Sequence, residues 1–236
     1  MRIRITPLLL TIAFLAAGVR APAKDDAFPK EVVTACLEAQ PAPPAPDSLA
    51  ALADLETVRE VQAWRTQAQV DFARRIDAGS LFEFSDVLGS GFTAARLPQC
   101  GKLLERLDAI AGQVSSKAKH RFPRLRPPYT DLRVKPCIEA PPRASSSYPS
   151  GHATLFTLGA LALAEVFPDQ REALLAWGRK AAWSRVIAGV HFPSDVAGGR
   201  LLAEGIFARL KQDPEFQATV ARCREEVAAC LPRKAA

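Results

Sequence analysis

Three short segments in the second half of the sequence bring together residue types that can bind an anion and act on it. They contain three cationic side chains, two histidines, one carboxylate and a Ser-Gly pair. In chain order these residues are Lys119, Arg126, Ser150, Gly151, His152, Arg185, His191 and Asp195. If they converge in the fold, they form a pocket that neutralises a tetrahedral anion and places imidazole rings beside it.

The cations and the Ser-Gly pair would hold the anion. Arg126 and Arg185 can bind oxyanions through planar guanidinium groups, and Lys119 adds a point charge. Ser150 and Gly151 would place backbone N–H groups at the N-terminus of a helix, where anions bind readily. Because fixed cations neutralise the charge, we predict a phosphate site that needs no metal or cofactor. Vanadate is expected to bind there as a phosphate mimic.

The two histidines and the carboxylate supply what a pure binding site lacks. A neutral His191 can attack phosphorus through one ring nitrogen, while Asp195 holds the other N–H and supports the imidazolium that forms. His152 can protonate the leaving alkoxide and then activate water. The three cations would stabilise charge on the equatorial oxygens of the transition state. The set therefore predicts phosphoryl transfer to water.

These residues follow the spacing K-x6-R-P, then P-S-G-H, then S-R-x5-H-x3-D, with all eleven specified positions present. In this the chain resembles the type 2 phosphatidic acid phosphatase superfamily, which includes vanadium haloperoxidases. Within it the sequence looks most like bacterial class A non-specific acid phosphatases. The stretches that carry this likeness are 147–152, 184–191, 194–196 and 213–217, and the likeness is strongest over about 110–230.

The resemblance implies an all-helical fold, a phosphohistidine intermediate and a periplasmic location. It makes His191 the nucleophile, His152 the acid and base, and Asp195 the orienting carboxylate. The residues it assigns to phosphate binding are Lys119, Arg126, Ser150, Gly151 and Arg185.

The helices that the sequence predicts must position these side chains. The chain is rich in Ala, Leu, Arg and Glu, and the apolar spacing predicts one all-α domain. Seven prolines make 121–149 mostly loop. A nearly all-apolar segment at 151–166 should form a central buried helix. The other predicted helices cover about 48–76, 103–119, 170–190 (with Asp169 as its cap), 193–211 and a last stretch from 213 to about 230.

The N-terminus resembles a secretory signal peptide over residues 1–23. Arg2 and Arg4 precede an apolar stretch, and small residues at 21–23 suit a cleavage position. An uncleaved anchor or a buried first helix is the alternative. We predict an N-terminal segment with a Pro-rich connector at 24–47 and a single helical domain at 48–236. The expected location is periplasmic or secreted.

Charge and hydropathy narrow the set of partners. The formal net charge is +6, and cleavage after residue 23 would remove three arginines and no acidic residue. The remaining charge is small and scattered, which gives no reason to expect nucleic acid. No apolar run reaches the roughly 18 residues of a spanning helix, so stable membrane insertion is not expected. Small phosphorylated substrates are the expected partners, and a homo-oligomer is possible.

Cysteine usage fits an exported protein. The five cysteines are expected to form structural disulfides rather than to act as a catalytic thiol, although the odd number leaves at least one unpaired or paired between chains. Cys223 and Cys230 should not pair if one helix carries both, because about 1.5 Å per residue separates them too far. The pairing otherwise stays open.

A secreted, metal-independent acid phosphatase acting on phosphomonoesters is the leading hypothesis. A vanadate-dependent haloperoxidase would use the same pocket. A lipid phosphate or diphosphate phosphatase acting at a membrane surface is a further alternative, and an inactive anion-binding module is the last.

Overall fold

The computed structural model describes residues 28–231, and within this range it contains ten α-helices and no strand. The predicted all-α fold is therefore confirmed. Two single 3₁₀ turns, Leu81–Phe84 and Pro168–Gln170, lie between helices. The helices are α1 Lys30–Glu38, α2 Leu49–Trp64, α3 Gln67–Asp77, α4 Ser85–Leu88, α5 Pro98–Arg121, α6 Pro127–Thr130, α7 Gly151–Val166, α8 Arg171–Ile187, α9 Pro193–Leu210 and α10 Pro214–Cys230.

Helix α7 is the central helix of the fold. It packs most extensively against α8 and α9, and also against α5 and α10. Phe156, Leu158 and Leu163 on α7 are fully buried, and burial of each such side chain contributes about 1.5–3 kcal/mol. Gly178 lets α8 approach closely, since a Cβ there would lie 2.7 Å from the Cβ of Ala160. Gly178 therefore allows close packing between α7 and α8, the helices that carry His152 and Arg185.

The predicted helix at 48–76 is two helices. Arg65 is extended, and the Thr66 side chain accepts from the Gln69 N–H while the Gln69 side chain accepts from the Thr66 N–H. This capping box starts α3 afresh and lets it turn away from α2. The predicted cap Asp169 is also wrong. It lies in a 3₁₀ turn, and Gln170 precedes α8 without a capping side chain.

The segment before residue 48 contributes to the same core. Phe28, Val33 and Cys36 are buried in the main hydrophobic cluster. Tyr148 ties this segment to the Ser-Gly turn, because its hydroxyl donates to the Pro41 carbonyl at 2.6 Å. The helical core therefore begins before residue 48. The predicted signal peptide at 1–23 lies outside the described residues.

No helix between residues 28 and 231 is long and apolar enough to cross a bilayer. In the same range all five cysteines are free thiols, so the expected structural disulfides are absent. The neighbouring Cys223 on α10, together with burial, raises the pKa of the Cys100 thiol on α5.

Candidate active site

The predicted site residues gather at one end of the bundle, where α7 and α9 begin and where α3 and α8 end. His152 lies in the first turn of α7, and Asp195 in the first turn of α9. Arg185 lies in the last turn of α8 and Lys119 in the last turn of α5. The loop between α5 and α7, together with the turn after α8, brings the remaining residues to the same end.

His191 and Asp195 form a buried pair. The Nδ1 atom of His191 lies 3.4 Å from Asp195 Oδ2, and the Nε2 atom lies 3.0 Å from Nη1 of Arg126. A guanidinium only donates, so Nε2 carries the lone pair and Nδ1 the hydrogen. Burial and the charges of Arg126 and Lys119 hold the pKa of His191 well below its usual value, against the opposing hydrogen bond with Asp195. The ring is therefore neutral, with its unprotonated Nε2 facing the guanidinium of Arg126.

Local structure at the start of α9 fixes the carboxylate. Asp195 Oδ2 accepts from the Phe192 N–H at 2.8 Å and from the Ser147 hydroxyl at 2.5 Å. Gly189, with φ of +76°, makes the turn that leads from α8 into His191. Burial opposes ionisation of Asp195, but the hydrogen bond with His191 and the charges around it bring the pKa below its usual value. The carboxylate is therefore ionised.

Arg126 connects His191 to the loop that precedes α7. Its Nη1 donates to the Val190 carbonyl at 3.0 Å, and its Nε donates to the Ser145 carbonyl at 3.1 Å. Burial lowers its pKa to about 10, so it remains a cation at any working pH.

Lys119 is the cation that titrates near neutrality. Its Nζ donates to the Ser146 carbonyl at 2.6 Å. Burial and the nearby charge of Arg126 lower its pKa to about 7. The site is therefore most cationic below pH 7.

Arg185 is a buried cation whose hydrogen bonds are incomplete. Its side chain is 1% exposed, and Nη2 donates to Asp77 Oδ1 at 2.8 Å. Its Nε and Nη1 atoms have no hydrogen-bond partner among the described residues. Buried donors without acceptors cost about 1–3 kcal/mol each, and more when charged. An anion bound here would supply those acceptors.

His152 shares the Asp77 contact with Arg185. Its Nε2 lies 3.2 Å from the Asp77 carbonyl oxygen, which leaves the other ring nitrogen for proton exchange. Burial and the charge of Arg185 lower the pKa of His152 to about 4. The charge of Arg126 also acts on this ring, as it does on His191. Arg126 therefore favours the neutral form of both histidines.

The structure changes one detail predicted for the start of α7. The Ser150 N–H donates to the Asp195 carbonyl at 3.0 Å, and the Ser150 hydroxyl caps α7 by accepting from Ala153 N–H. The Ser150 N–H is therefore not free to bind an anion. The N–H groups of Gly151 and His152 have no acceptor among the described residues, as expected for a first helical turn.

Four residues with no predicted role also belong to the site: Asp54, Asp77, Arg124 and Ser147. Ser147 and Arg124 lie within two residues of signature positions, so their proximity in the sequence could have indicated that they belong to the site. Asp54 on α2 and Asp77 on α3 lie far from it in sequence and carry no such signal.

A cavity of about 550 Å³ opens beside Lys119. Lys119, Arg124 and Arg143 contribute to its walls, and no acidic residue does. The approach to Lys119 is therefore electropositive, which favours an anionic ligand. The exposed His120, on the last turn of α5, lies at its edge and outside the group of residues described above.

We expect Gly199→Ala to separate the two helices that carry the site. A Cβ at Gly199 would lie 2.5 Å from the Ser150 carbonyl oxygen, which is backbone and cannot turn aside. The expected cost is about 1–3 kcal/mol of unfolding free energy, with loss of anion binding. Urea denaturation and phosphate titration measure both effects.

Gly205→Ala on the same helix is the matched control. No atom lies within 4 Å of a Cβ at Gly205, so this change should stabilise the helix by about 0.5–1 kcal/mol. Equal stability of the two variants would contradict the close approach of α9 to the Ser150 turn.

Known proteins are similar to this chain in sequence and in fold. Residues 108–217, which include all eight predicted site residues, match the PAP2 superfamily. The chain is 34% identical over 149 residues to the non-specific acid phosphatase of Providencia stuartii, covering 61% of this chain and 60% of that protein. It is 36% identical over 147 residues to the non-specific acid phosphatase of Salmonella typhimurium, covering 61% and 59%. The chain thus spans about 60% of the length of these relatives.

The crystal structure of a bacterial vanadium-dependent iodoperoxidase is similar in fold. The TM-score is 0.53 at 18% sequence identity, over 80% of this chain and 54% of that one. The match places a PAP2 superfamily domain at residues 108–217, and the solved structure shares the helical fold. The chain carries a PAP2 superfamily domain related to bacterial non-specific acid phosphatases, as the sequence resemblance predicted.

Proposed function

We propose that this protein is a metal-independent acid phosphatase that hydrolyses small phosphomonoesters through a phosphohistidine intermediate. The observation that carries the proposal is the neutral, buried His191, whose Nε2 lone pair faces Arg126 while Asp195 holds Nδ1. A cation beside a nucleophilic nitrogen places a bound phosphate within its reach. The names of the related acid phosphatases support the same class of reaction.

In the first step the phosphate occupies the space between the cations. Arg126, Arg185, Lys119 and the free N–H groups at the start of α7 bind its non-bridging oxygens. His191 Nε2 attacks phosphorus in line with the leaving oxygen, and the imidazolium that forms is stabilised by Asp195. His152 donates the proton that the leaving alkoxide takes.

In the second step water replaces the alcohol. His152, now neutral, removes a proton from water as the water attacks phosphorus and the phosphorus–Nε2 bond breaks. Phosphate leaves, and His191 is again neutral. The cations neutralise the charge on phosphorus throughout, so the reaction needs no metal, and vanadate should occupy the site as a mimic.

Location is the second part of the proposal. The signal-like residues 1–23 would direct the chain to the periplasm or the medium. N-terminal sequencing of protein recovered from the periplasmic fraction tests this. Cleavage after Ala23 is the expected result, and retention of Met1 in the cytoplasm would contradict it.

The activity is tested with p-nitrophenyl phosphate in the presence of EDTA. Full turnover in chelator is expected, together with competitive inhibition by vanadate. If turnover is absent but phosphate still binds, the protein is an anion-binding module and the proposed activity is wrong. Oxidation of halide by peroxide in the presence of vanadate would instead favour a haloperoxidase.

We expect kcat/KM to be highest in acid and to fall in two stages as pH rises. Above pH 4 the free His152 is neutral, but a substrate monoanion brings the missing proton until its own pKa of about 6. Above pH 7 the free Lys119 also loses its charge, so one cation of the anion site is lost. The rate constant should fall by about tenfold per pH unit above pH 6 and more steeply above pH 7.

Lys119→Arg is the control for the second stage, because a guanidinium does not lose its proton in this range. The steeper fall above pH 7 should disappear in this variant, whatever its absolute rate. A constant kcat/KM from pH 5 to 9 in the unmodified protein would contradict both assignments.

A further inference from the structure

Arg124 lies two residues before Arg126 and outside the signature, yet it contacts the carboxylate behind the nucleophile. Its Nη1 donates to Asp195 Oδ1 at 2.6 Å and to the Ser194 hydroxyl at 2.7 Å. Its Cζ atom lies 4.2 Å from the centroid of the Phe192 ring. The side chain is only 11% exposed, so this charge is held in place rather than solvated.

Asp54 completes the arrangement from a different helix. Arg124 Nη2 donates to Asp54 Oδ2 at 2.8 Å, and Asp54 Oδ1 accepts from the Ser194 N–H at 3.0 Å. The Ser194 hydroxyl also hydrogen-bonds to Asp54. Asp54 is 7% exposed on its side chain, so α2 contributes a buried acid to the base of α9.

These contacts fix both oxygens of Asp195. Arg124 occupies Oδ1, while the Phe192 N–H and the Ser147 hydroxyl occupy Oδ2, the oxygen that faces His191. A carboxylate held on both sides cannot rotate away from the imidazole. Without Arg124, Oδ1 would be a buried charged atom with no donor, which favours reorientation or protonation of the carboxylate.

We propose that Arg124 and Asp54 are positioning residues, which act through Asp195 to keep His191 in the tautomer with Nδ1 protonated and Nε2 unprotonated. The inference rests on the proposed function and adds residues to its site. Asp195 and Arg126 contact the His191 ring, and the charge of Lys119 also lowers the pKa of His191. Arg124 and Asp54 act from behind Asp195, and their opposite charges offset each other.

A double-mutant cycle separates positioning from a general effect on folding. Arg124→Gln is expected to lower kcat by roughly 10- to 100-fold, the scale for groups that orient a reactive ligand. In the Asp195→Asn background the same change should lower kcat by less than about threefold, because its target is already gone. The inhibition constant of phosphate should change less than about twofold in Arg124→Gln. An equal loss of kcat in both backgrounds, or no loss in either, overturns the proposal.

Asp54→Asn provides a second variant if Arg124→Gln does not fold, since it keeps the size of the side chain and leaves Arg124 in place. In the same double-mutant cycle with Asp195→Asn, Asp54→Asn should lower kcat by less than Arg124→Gln does. The loss of kcat should again occur only where Asp195 is retained. Arg121→Gln is the matched control, because Arg121 ends α5 on the surface nearby and should leave kcat unchanged.

Histidine NMR tests the proposal independently of turnover. The chain has three histidines, so ¹⁵N labelling of histidine gives few signals, and His191→Asn identifies the relevant one. We expect His191 to be protonated on Nδ1 alone in the parent protein and on either nitrogen in Arg124→Gln. An unchanged tautomer overturns the positioning role. If the parent protein hydrolyses no phosphomonoester, the proposed function fails while this measurement still decides the role of Arg124.

Discussion

His191→Ala should reduce kcat for p-nitrophenyl phosphate by roughly 10⁴-fold or more, the scale of losing a catalytic nucleophile. The cations proposed to bind phosphate remain in this variant, and the residue removed is neutral and buried. Affinity for phosphate should therefore change little. Rapid acid-free quenching with ³²P-labelled substrate should trap a phosphorylated protein from the parent and none from the variant.

His120→Ala is the matched control, because His120 is exposed and, within residues 28–231, its side chain hydrogen-bonds to the Ser116 carbonyl alone. Its kcat should equal that of the parent. If His191→Ala retains more than about one-tenth of the parent kcat, His191 is not the nucleophile and the phosphohistidine mechanism is wrong.

Arg185→Gln is expected to lower kcat/KM by roughly 10²- to 10³-fold, the usual effect of removing one donor that stabilises transition-state charge. Between residues 28 and 231 two buried donors of Arg185 have no hydrogen-bond partner, so its removal should not destabilise the fold. We therefore expect an unfolding temperature at or above that of the parent together with the loss of activity. Thermal denaturation and steady-state kinetics measure the two quantities.

Added phosphate makes this prediction sharper. A ligand that binds only the folded state raises the unfolding temperature, and the rise depends on affinity. Phosphate should stabilise the parent more than Arg185→Gln. Arg179→Gln, an exposed arginine on the same helix, should respond to phosphate as the parent does. Equal stabilisation of Arg185→Gln and the parent would mean that Arg185 does not bind the anion.

The extent of agreement between sequence and structure follows from how local each signal is. The segment 151–166 forms α7 with the predicted bounds. Its apolar side chains supply the packing contacts, and Ser150, directly before it, supplies the N-cap. His191 lies two residues before α9 and Asp195 lies in its first turn, so their separation of four residues already places them together. The pattern of apolar residues does not predict the break at Arg65, because it continues across this residue. The signal for the break is the capping box of Thr66 and Gln69, which is weak in the sequence.

The sequence by itself predicted the all-helical class, which the structure confirms, and the PAP2 resemblance, which residues 108–217 bear out. It also supplied eight candidate residues for binding and transferring phosphate, because each of these predictions depends on residue type and short spacing. Only the tertiary structure decided how those residues are held. The Ser150 N–H is bonded to the Asp195 carbonyl, and Arg124 is clamped between Asp54 and Asp195. Such contacts join residues 45 or more positions apart. The directions of these hydrogen bonds depend on how whole helices pack, and the periodicity of the sequence does not predict them.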